Sequence, residues 1–179
     1  MIVLRGGVVE LRLVREADLV TLYESMSNLE TRGAYFPLGV MSETTLQAEF
    51  NKNGFWDQDE GMLLMVNDAA EIVGEIEYFP IIHYLQGYEI SYQVFGAEHT
   101  GKGYTTEAVN LLVDYLFGRK RVNRMQLNIH PDNAASKKVA EKCGFTFEGL
   151  MRGCWFHQGE YHDLEIWSLL RGEAASGPR

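Results

Sequence analysis

Gly101 and Gly103 bracket Lys102 in the stretch HTGKGYTTEAVNLL (99–112), just ahead of a run with helical apolar spacing. Glycine carries a backbone-entropy cost there, so its use implies a special dihedral or a close backbone approach. The first amides of a helix are unpaired and its dipole favours negative charge, so an anion is the expected visitor. Lys102 either adds charge to such a site or is simply solvated. Thr105 and Thr106 either cap the helix or touch the anion. Gly96 to Lys102 spells G-x4-G-K, but Gly103 stands where a nucleotide loop needs Ser or Thr to hold magnesium. A dinucleotide fingerprint fails as well, because Thr106 occupies the place of the third glycine.

Other chemistry-bearing groups lie elsewhere along the chain. Glu75 and Glu77 share one strand face by period two, and either bind a cation or form a solvated sheet face. Asn133 and Ser136 sit one helical turn apart on one face, with Asn133 also suited to a plain N-cap. His130, His157 and His162 have no metal-ligand spacing, and no metal is expected. Cys143, near a helix end, reads as a small core residue.

The elements that must position these groups follow from periodicity. A strand is predicted at 8–14 and a helix at 15–26, with Leu19, Leu22, Tyr23 and Met26 at helical spacing. A second helix at 42–50 is capped by Ser42. The irregular segment between them carries Tyr35 and Phe36, a candidate pocket wall. Strands at 62–67 and 71–80 join through Asp68-Ala69-Ala70, without the favoured Asn-Gly turn. The strand at 87–95 alternates Tyr88, Ile90, Tyr92 and Val94 against Glu89, Ser91, Gln93 and Phe95. Then come the helix after Gly103, a strand at 124–130 and a short helix ending at Gly144. Two closing strands, about 145–156 and 160–170, turn at Gln158-Gly159. Several antiparallel strands before one strand–helix–strand–helix passage indicate a mixed α/β sheet rather than a repeating βαβ chain.

Composition bounds the partners. A chain of 179 residues, 46% hydrophobic and 23% charged, fits one globular domain with its own core. A net charge of −9 argues against nucleic acid and suits a cationic substrate, although solubility alone also explains it. No apolar run approaches a membrane span, and Met1 to Gly7 does not resemble a secretion signal. Two cysteines suit a reducing compartment, so a cytoplasmic location is expected. The small polar residues 172–179 read as a flexible C-terminal tail after a domain over 1–171.

These motifs together resemble the Gcn5-related N-acetyltransferase superfamily, and within it the RimJ/RimL-like branch. The loop Q/R-x-x-G-x-G/A falls on Glu98-His-Thr-Gly101-Lys102-Gly103, with Glu98 departing from the family's Gln or Arg. NIHPDNAASKKVAEKCGF resembles the N-x-x-S helix and its terminal G-F. FEGLMRGCWFHQGEYHDLEIWSLL resembles the branch's closing hairpin, and VVELRLVREADLVTL its opening strand and helix.

The resemblance implies one domain with a mostly antiparallel sheet, splayed around an acetyl-CoA cleft and flanked by helices. It implies that acetyl-CoA lies where strand 87–95 parts from strand 124–130. The cofactor contacts it implies are Val94, Phe95, Thr100, Gly101, Lys102, Gly103, Tyr104, Thr105, Thr106, Asn128, Asn133 and Ser136. An amide near Val94 and Phe95 would polarise the thioester carbonyl. Glu89 is the implied general base, or else an electrostatic contact for a cationic amine. Ser136 is the implied proton donor to the thiolate, because Ala140 occupies the place of the tyrosine found in many members. Tyr35, Glu75, Glu77, Tyr92 and Trp155 are the candidate acceptor-binding residues. The implied reaction is acetyl transfer to a primary amine, and the acidic balance of the chain favours that of a small cationic molecule such as a polyamine, amino sugar or amine-bearing antibiotic. A protein α-amine, for example of a ribosomal protein, is the alternative acceptor. A non-catalytic acyl-CoA-binding module is the alternative of another class. A homodimer is compatible with each.

Overall fold

The structure, a computed structural model, describes residues 2–28, 32–37, 39–82 and 85–174. The predicted first strand is β2 (Val9–Leu13), and an additional short β1 (Val3–Arg5) folds back on it. The helix predicted at 15–26 is a 3₁₀ turn at Glu16–Asp18 running into α1 (Leu19–Ser27). Asp18 fixes that start: its carboxylate accepts two Arg12 guanidinium N–H groups at 2.7 and 2.8 Å and the Arg15 amide at 2.8 Å. α2 (Glu43–Asn53) begins at Ser42, whose hydroxyl accepts the Thr45 amide, as a Ser N-cap should.

β3 (Gly61–Asn67) and β4 (Ile72–Pro80) form a hairpin whose turn does not need Asn-Gly. Asn67 Oδ1 accepts the amides of Ala69 and Glu71, and Ala70 takes φ 62°. β5 (Gly87–Val94) leads through the glycine loop into α3 (Tyr104–Arg119), then β6 (Arg124–Ile129) and α4 (Ala134–Lys142). β7 (Thr146–His157) and β8 (Glu160–Leu170) close the sheet around Gln158 and Gly159, both at positive φ, the geometry of a tight hairpin turn. α5 (Arg171–Ala174) takes up the start of the predicted tail, docked by Arg171 N–H donors to the carbonyls of Phe117, Lys120 and Val122. Residues 175–179 of that expected tail lie outside the described residues.

The sheet order is β1-β2-β3-β4-β5-β6-β8-β7, antiparallel at every step except the parallel β5–β6 pair. A parallel neighbour needs a crossover, and α3 supplies it. One sheet face packs Val73, Ile76, Tyr78, Ile90, Met125 and Leu127 against α3 and α4, including Leu112, Leu116 and Ala140. On the other face, Leu19, Leu22 and Leu46 cover Leu64 and Phe95. The mixed α/β architecture expected from the sequence is the one observed.

Candidate active site

The β5–β6 ladder holds for only three rungs, Gly87 with Arg124, Tyr88 with Met125 and Glu89 with Gln126. Beyond Glu89 the two strands part. The opening is bordered by the glycine loop with the α3 N-terminus on one side and by α4 on the other, and it holds two cavities.

The first is a groove of about 550 Å³ lined by Val94, Thr100 to Thr106, Asn133, Ser136 and a face of α4. Gly101 and Gly103 adopt φ 72° and 86°, and among the described residues no atom beyond their chain neighbours lies within 4 Å of where a Cβ would stand. Backbone conformation, not crowding by the protein, therefore selects glycine here. Gly103 is the N-cap of α3 and receives no side-chain cap, so neither Thr105 nor Thr106 caps the helix. Both threonines line the groove.

The one acidic residue in the first turn of α3, Glu107, is turned away. Its carboxylate accepts the amides of Gly7, Val8 and Val9 at 2.6, 2.7 and 2.8 Å. Burial opposes ionisation, but the three donors hold its pKa below the usual carboxylate range. The helix terminus thus keeps its positive end toward the groove. Lys102, Lys138 and Lys142 add cationic charge along the same groove. Glu98 is exposed and lines no described cavity, whereas its neighbour His99 does line the groove. These features fit a polyanionic ligand with a slender arm reaching Ser136.

The second cavity, about 300 Å³, opens on the sheet face that carries Glu77 and Glu89. Tyr35, Phe36, Phe79, His130 and Trp155 wall it. Burial pushes the Glu89 pKa up, Glu77 adds to the rise, and a hydrogen bond from Asn128 Nδ2 to Glu89 Oε2 at 2.8 Å opposes it. Glu77 is likewise raised by burial, with Glu60 adding and the Ser91 hydroxyl opposing. Two carboxyls with no cationic partner among the described residues therefore face one partly open cavity.

The two cavities share Tyr35, Phe36, Tyr92, Asn133 and Ser136. Asn133 Oδ1 caps α4 by accepting the Ser136 amide. Burial pushes the Tyr92 phenol up to about 12, against the opposing influence of the Ser136 hydroxyl beside it. Both hydroxyls stand protonated where the cavities meet.

Three expected site residues are corrected. Phe95 does not reach the groove: its ring packs with Leu64 under α1 and α2, and its amide donates to the Val73 carbonyl at 2.9 Å. That amide is committed to the sheet and is not free to polarise a ligand carbonyl. Asn128 lies in the second cavity, bonded to Glu89, and does not line the groove. Glu75 shares the face of Glu77 as period two requires, yet it is only 1% exposed and lines no described cavity. It pairs across to Leu64 and Gln93, a position closed over by the protein.

The three histidines do come together, as a brace and not at metal-ligand spacing. The His157 Nε2–H donates to the Ala34 carbonyl at 3.0 Å and His162 Nε2–H to the His157 carbonyl at 3.2 Å. His162 Nδ1 is then the acceptor for His130 Nε2–H at 3.3 Å. His130 stacks on Tyr35 with ring centroids 4.8 Å apart, and Trp155 stacks on His157 at 4.2 Å. The brace fastens residues 34–35 to the β7–β8 hairpin. Sequence reasoning missed this brace and also missed Lys138 and Lys142. The lysine signal was available: 135, 138, 139 and 142 fall on one helix face beginning beside Asn133.

Residues 9–146 match the family model described as an acetyltransferase (GNAT) domain. The chain is 29% identical over 164 residues to the uncharacterized N-acetyltransferase YnaD of Bacillus subtilis, covering 90% of this chain and 94% of that one. It is 33% identical over 112 residues to the uncharacterized N-acetyltransferase p20 of Bacillus licheniformis, covering 63% of this chain and 62% of p20. Spermidine N(1)-acetyltransferase of Vibrio cholerae is 24% identical over 165 residues, with 91% and 93% of the two chains covered. The structure of the spermidine N-acetyltransferase from Vibrio cholerae in complex with CoA and spermine superposes with a TM-score of 0.82 at 23% identity, covering 94% and 98%.

Proposed function

The chain belongs to the acetyltransferase (GNAT) family and uses acetyl-CoA, and on that premise we propose that its acceptor is the primary amine of a small cationic molecule. The observation that carries this reading is the second cavity, where Glu77 and Glu89 face one shared space beside aromatic walls. Burial and mutual repulsion disfavour two ionised carboxyls there. An entering ammonium relieves both penalties, and Tyr35 and Trp155 add aromatic surface that suits a cation. The likeness to a spermidine acetyltransferase supports the same acceptor class.

The groove would hold the donor: the Gly101–Gly103 backbone and Lys102, Lys138 and Lys142 at the phosphates, and Val94, Asn133 and Ser136 along the arm. When bound, acetyl-CoA supplies the activated acyl group. An alkyl ammonium has a pKa of about 10, so the amine must lose a proton before it attacks. Glu89, raised by burial yet held by one N–H donor, accepts that proton at its carboxylate. Ser136, at the junction with Tyr92 beside it, returns a proton to the departing sulfur. The RimJ/RimL-like placement within the family rests on Asn133-x-x-Ser136 and the closing hairpin. A protein α-amine acceptor is the reading to be separated from this one.

An amine panel separates them: polyamines, amino sugars and aminoglycoside-like compounds against peptide amines, with thiol release as the signal. Turnover of the small cations, with KM rising as salt is added, is the expected result. Efficient turnover of peptide amines alone would overturn the acceptor class.

A further inference from the structure

On the sheet face that opens into the second cavity, polar side chains from β5 to β8 form one continuous run of hydrogen bonds. Arg124 grips Glu148 in a two-pronged pair, NH1 to Oε1 at 2.8 Å and NH2 to Oε2 at 2.6 Å. Ser168 Oγ donates to the same Glu148 at 2.6 Å. Arg124 NH2 also donates to Gln126 Oε1 at 3.0 Å, Gln126 Nε2 to Asn128 Oδ1 at 3.1 Å, and Asn128 Nδ2 to Glu89 Oε2 at 2.8 Å. Residues 124, 126 and 128 share a face because strand side chains alternate, and Gln126 is the rung opposite Glu89.

The direction of this run is not arbitrary. A guanidinium only donates, so Gln126 must turn its oxygen to Arg124 and its NH2 to Asn128. Asn128 must then turn its oxygen to Gln126, which leaves its NH2 facing Glu89. Gln126 is 8% exposed and Ser168 2%, so water is a poor substitute partner for an amide that turned the other way. We infer that Arg124, Gln126 and Asn128 are positioning residues that hold an N–H donor permanently on Glu89, so that an ion pair outside the acceptor pocket sets the proton affinity of the base inside it.

The charges around Glu89 leave this donor a distinct task. Glu77 and the deeper Glu75 come from β4, His130 follows β6, His162 comes from β8, and Tyr35 closes the pocket from its loop. Burial raises the Glu89 pKa and the Glu77 carboxylate adds to the rise. The Asn128 donor is the local group opposing them, because a hydrogen bond to a carboxylate favours its ionised form. The kinetic consequence, though not the titration itself, rests on Glu89 acting as the base.

Two variants of the full chain test the relay. Asn128→Leu removes the donor without adding charge. Gln126→Glu keeps shape and the Arg124 contact but offers Asn128 only acceptors, forcing its oxygen toward Glu89. The readout is the Glu89 carboxyl carbon signal in glutamate-labelled protein, assigned by its loss in Glu89→Gln and followed against pH. The midpoint is expected to move to higher pH in both variants. kcat/KM below that midpoint should fall roughly tenfold relative to wild type at the same pH, a comparison in which amine titration cancels. In the double variant the Gln126→Glu shift should shrink, because a charge effect alone would persist without Asn128. Wild-type midpoints in both folded single variants, or an undiminished Gln126→Glu shift in the double variant, overturn the relay. Moved midpoints with unmoved rates keep the relay and instead refute Glu89 as the base.

Discussion

Asn133 Oδ1 accepts the amide hydrogen of Ser136 at 3.1 Å, which fixes the first turn of α4 with the serine at the junction of the two cavities. Cap and candidate proton donor are thus one structural unit. Ser136→Ala is expected to lower kcat more than it weakens acetyl-CoA binding, while Asn133→Ala should cost about 1 kcal/mol of stability by removing the cap. The serine effect is bounded, because a thiol of pKa about 8.5 departs tolerably unaided. Titration calorimetry and steady-state rates check this. Loss of affinity alone in Ser136→Ala makes the serine a contact for the arm, and a larger kcat loss in Tyr92→Phe assigns the proton to the phenol.

Gly103 sits at φ 86° with open space around its Cβ position. Gly103→Val meets no clash with the protein, yet a branched residue is strained at that dihedral and would project into the groove. Acetyl-CoA should raise the melting temperature of the wild type by mass action, and most of that rise should vanish in Gly103→Val. ATP with magnesium should give no rise in either. An equal shift with ATP in the wild type, or an intact acetyl-CoA shift in the variant, contradicts the groove assignment.

Glu75 is buried with one carboxyl oxygen lacking a hydrogen-bond partner among the described residues, and burial, with Glu77 adding, pushes its pKa well above the ordinary value. The folded protein therefore holds that proton more tightly than the unfolded chain does. The associated stability is complete below the unfolded carboxyl pKa and is lost as pH climbs from there through the raised folded value. Glu75→Gln, which cannot ionise, should melt higher than wild type at neutral pH and no higher at pH 4. Melting curves across that range suffice. A variant less stable at every pH would mean that Glu75 is ionised and paired in the fold.

The fold was readable because its signals are local: Ser42 before a helix, Gly144 after one, and alternation along β5. The loop was readable because Gly101 and Gly103 answer to backbone conformation, which leaves a mark in sequence. Glu75 and Phe95 misled because period two assigns a face but not what lies over it. α1 and α2 cover Phe95, whereas the same face lies open at Glu77 and Glu89. The histidine brace and the Arg124 run were illegible for another reason. They join residues from separate strands whose pairing, including the β6–β8 contact that skips β7, no local pattern encodes.

Glu89 stands at the last rung before β5 and β6 part, so its carboxyl faces the acceptor pocket while its backbone still belongs to the ladder. Such a group is held rigidly and partly desolvated, the two conditions that favour a general base. Glu89→Gln preserves shape and should lower kcat/KM by roughly a hundredfold or more, the usual scale of acid–base catalysis. The pH profile separates that loss from a binding defect. In the wild type the rate should climb with pH and level once both Glu89 and the amine have lost their protons. The glutamine variant should lack the Glu89 limb and recover part of its rate at high pH, where free amine is abundant. An electrostatic contact would behave differently: KM for cationic amines would rise, kcat would hold, and the profile would keep its shape. Rates measured from pH 5 to 10 with a polyamine and with a neutral hydroxylamine-type nucleophile distinguish the two, because the latter is already unprotonated before attack and its weakly basic adduct gives its proton to water, so both proteins should turn it over nearly equally.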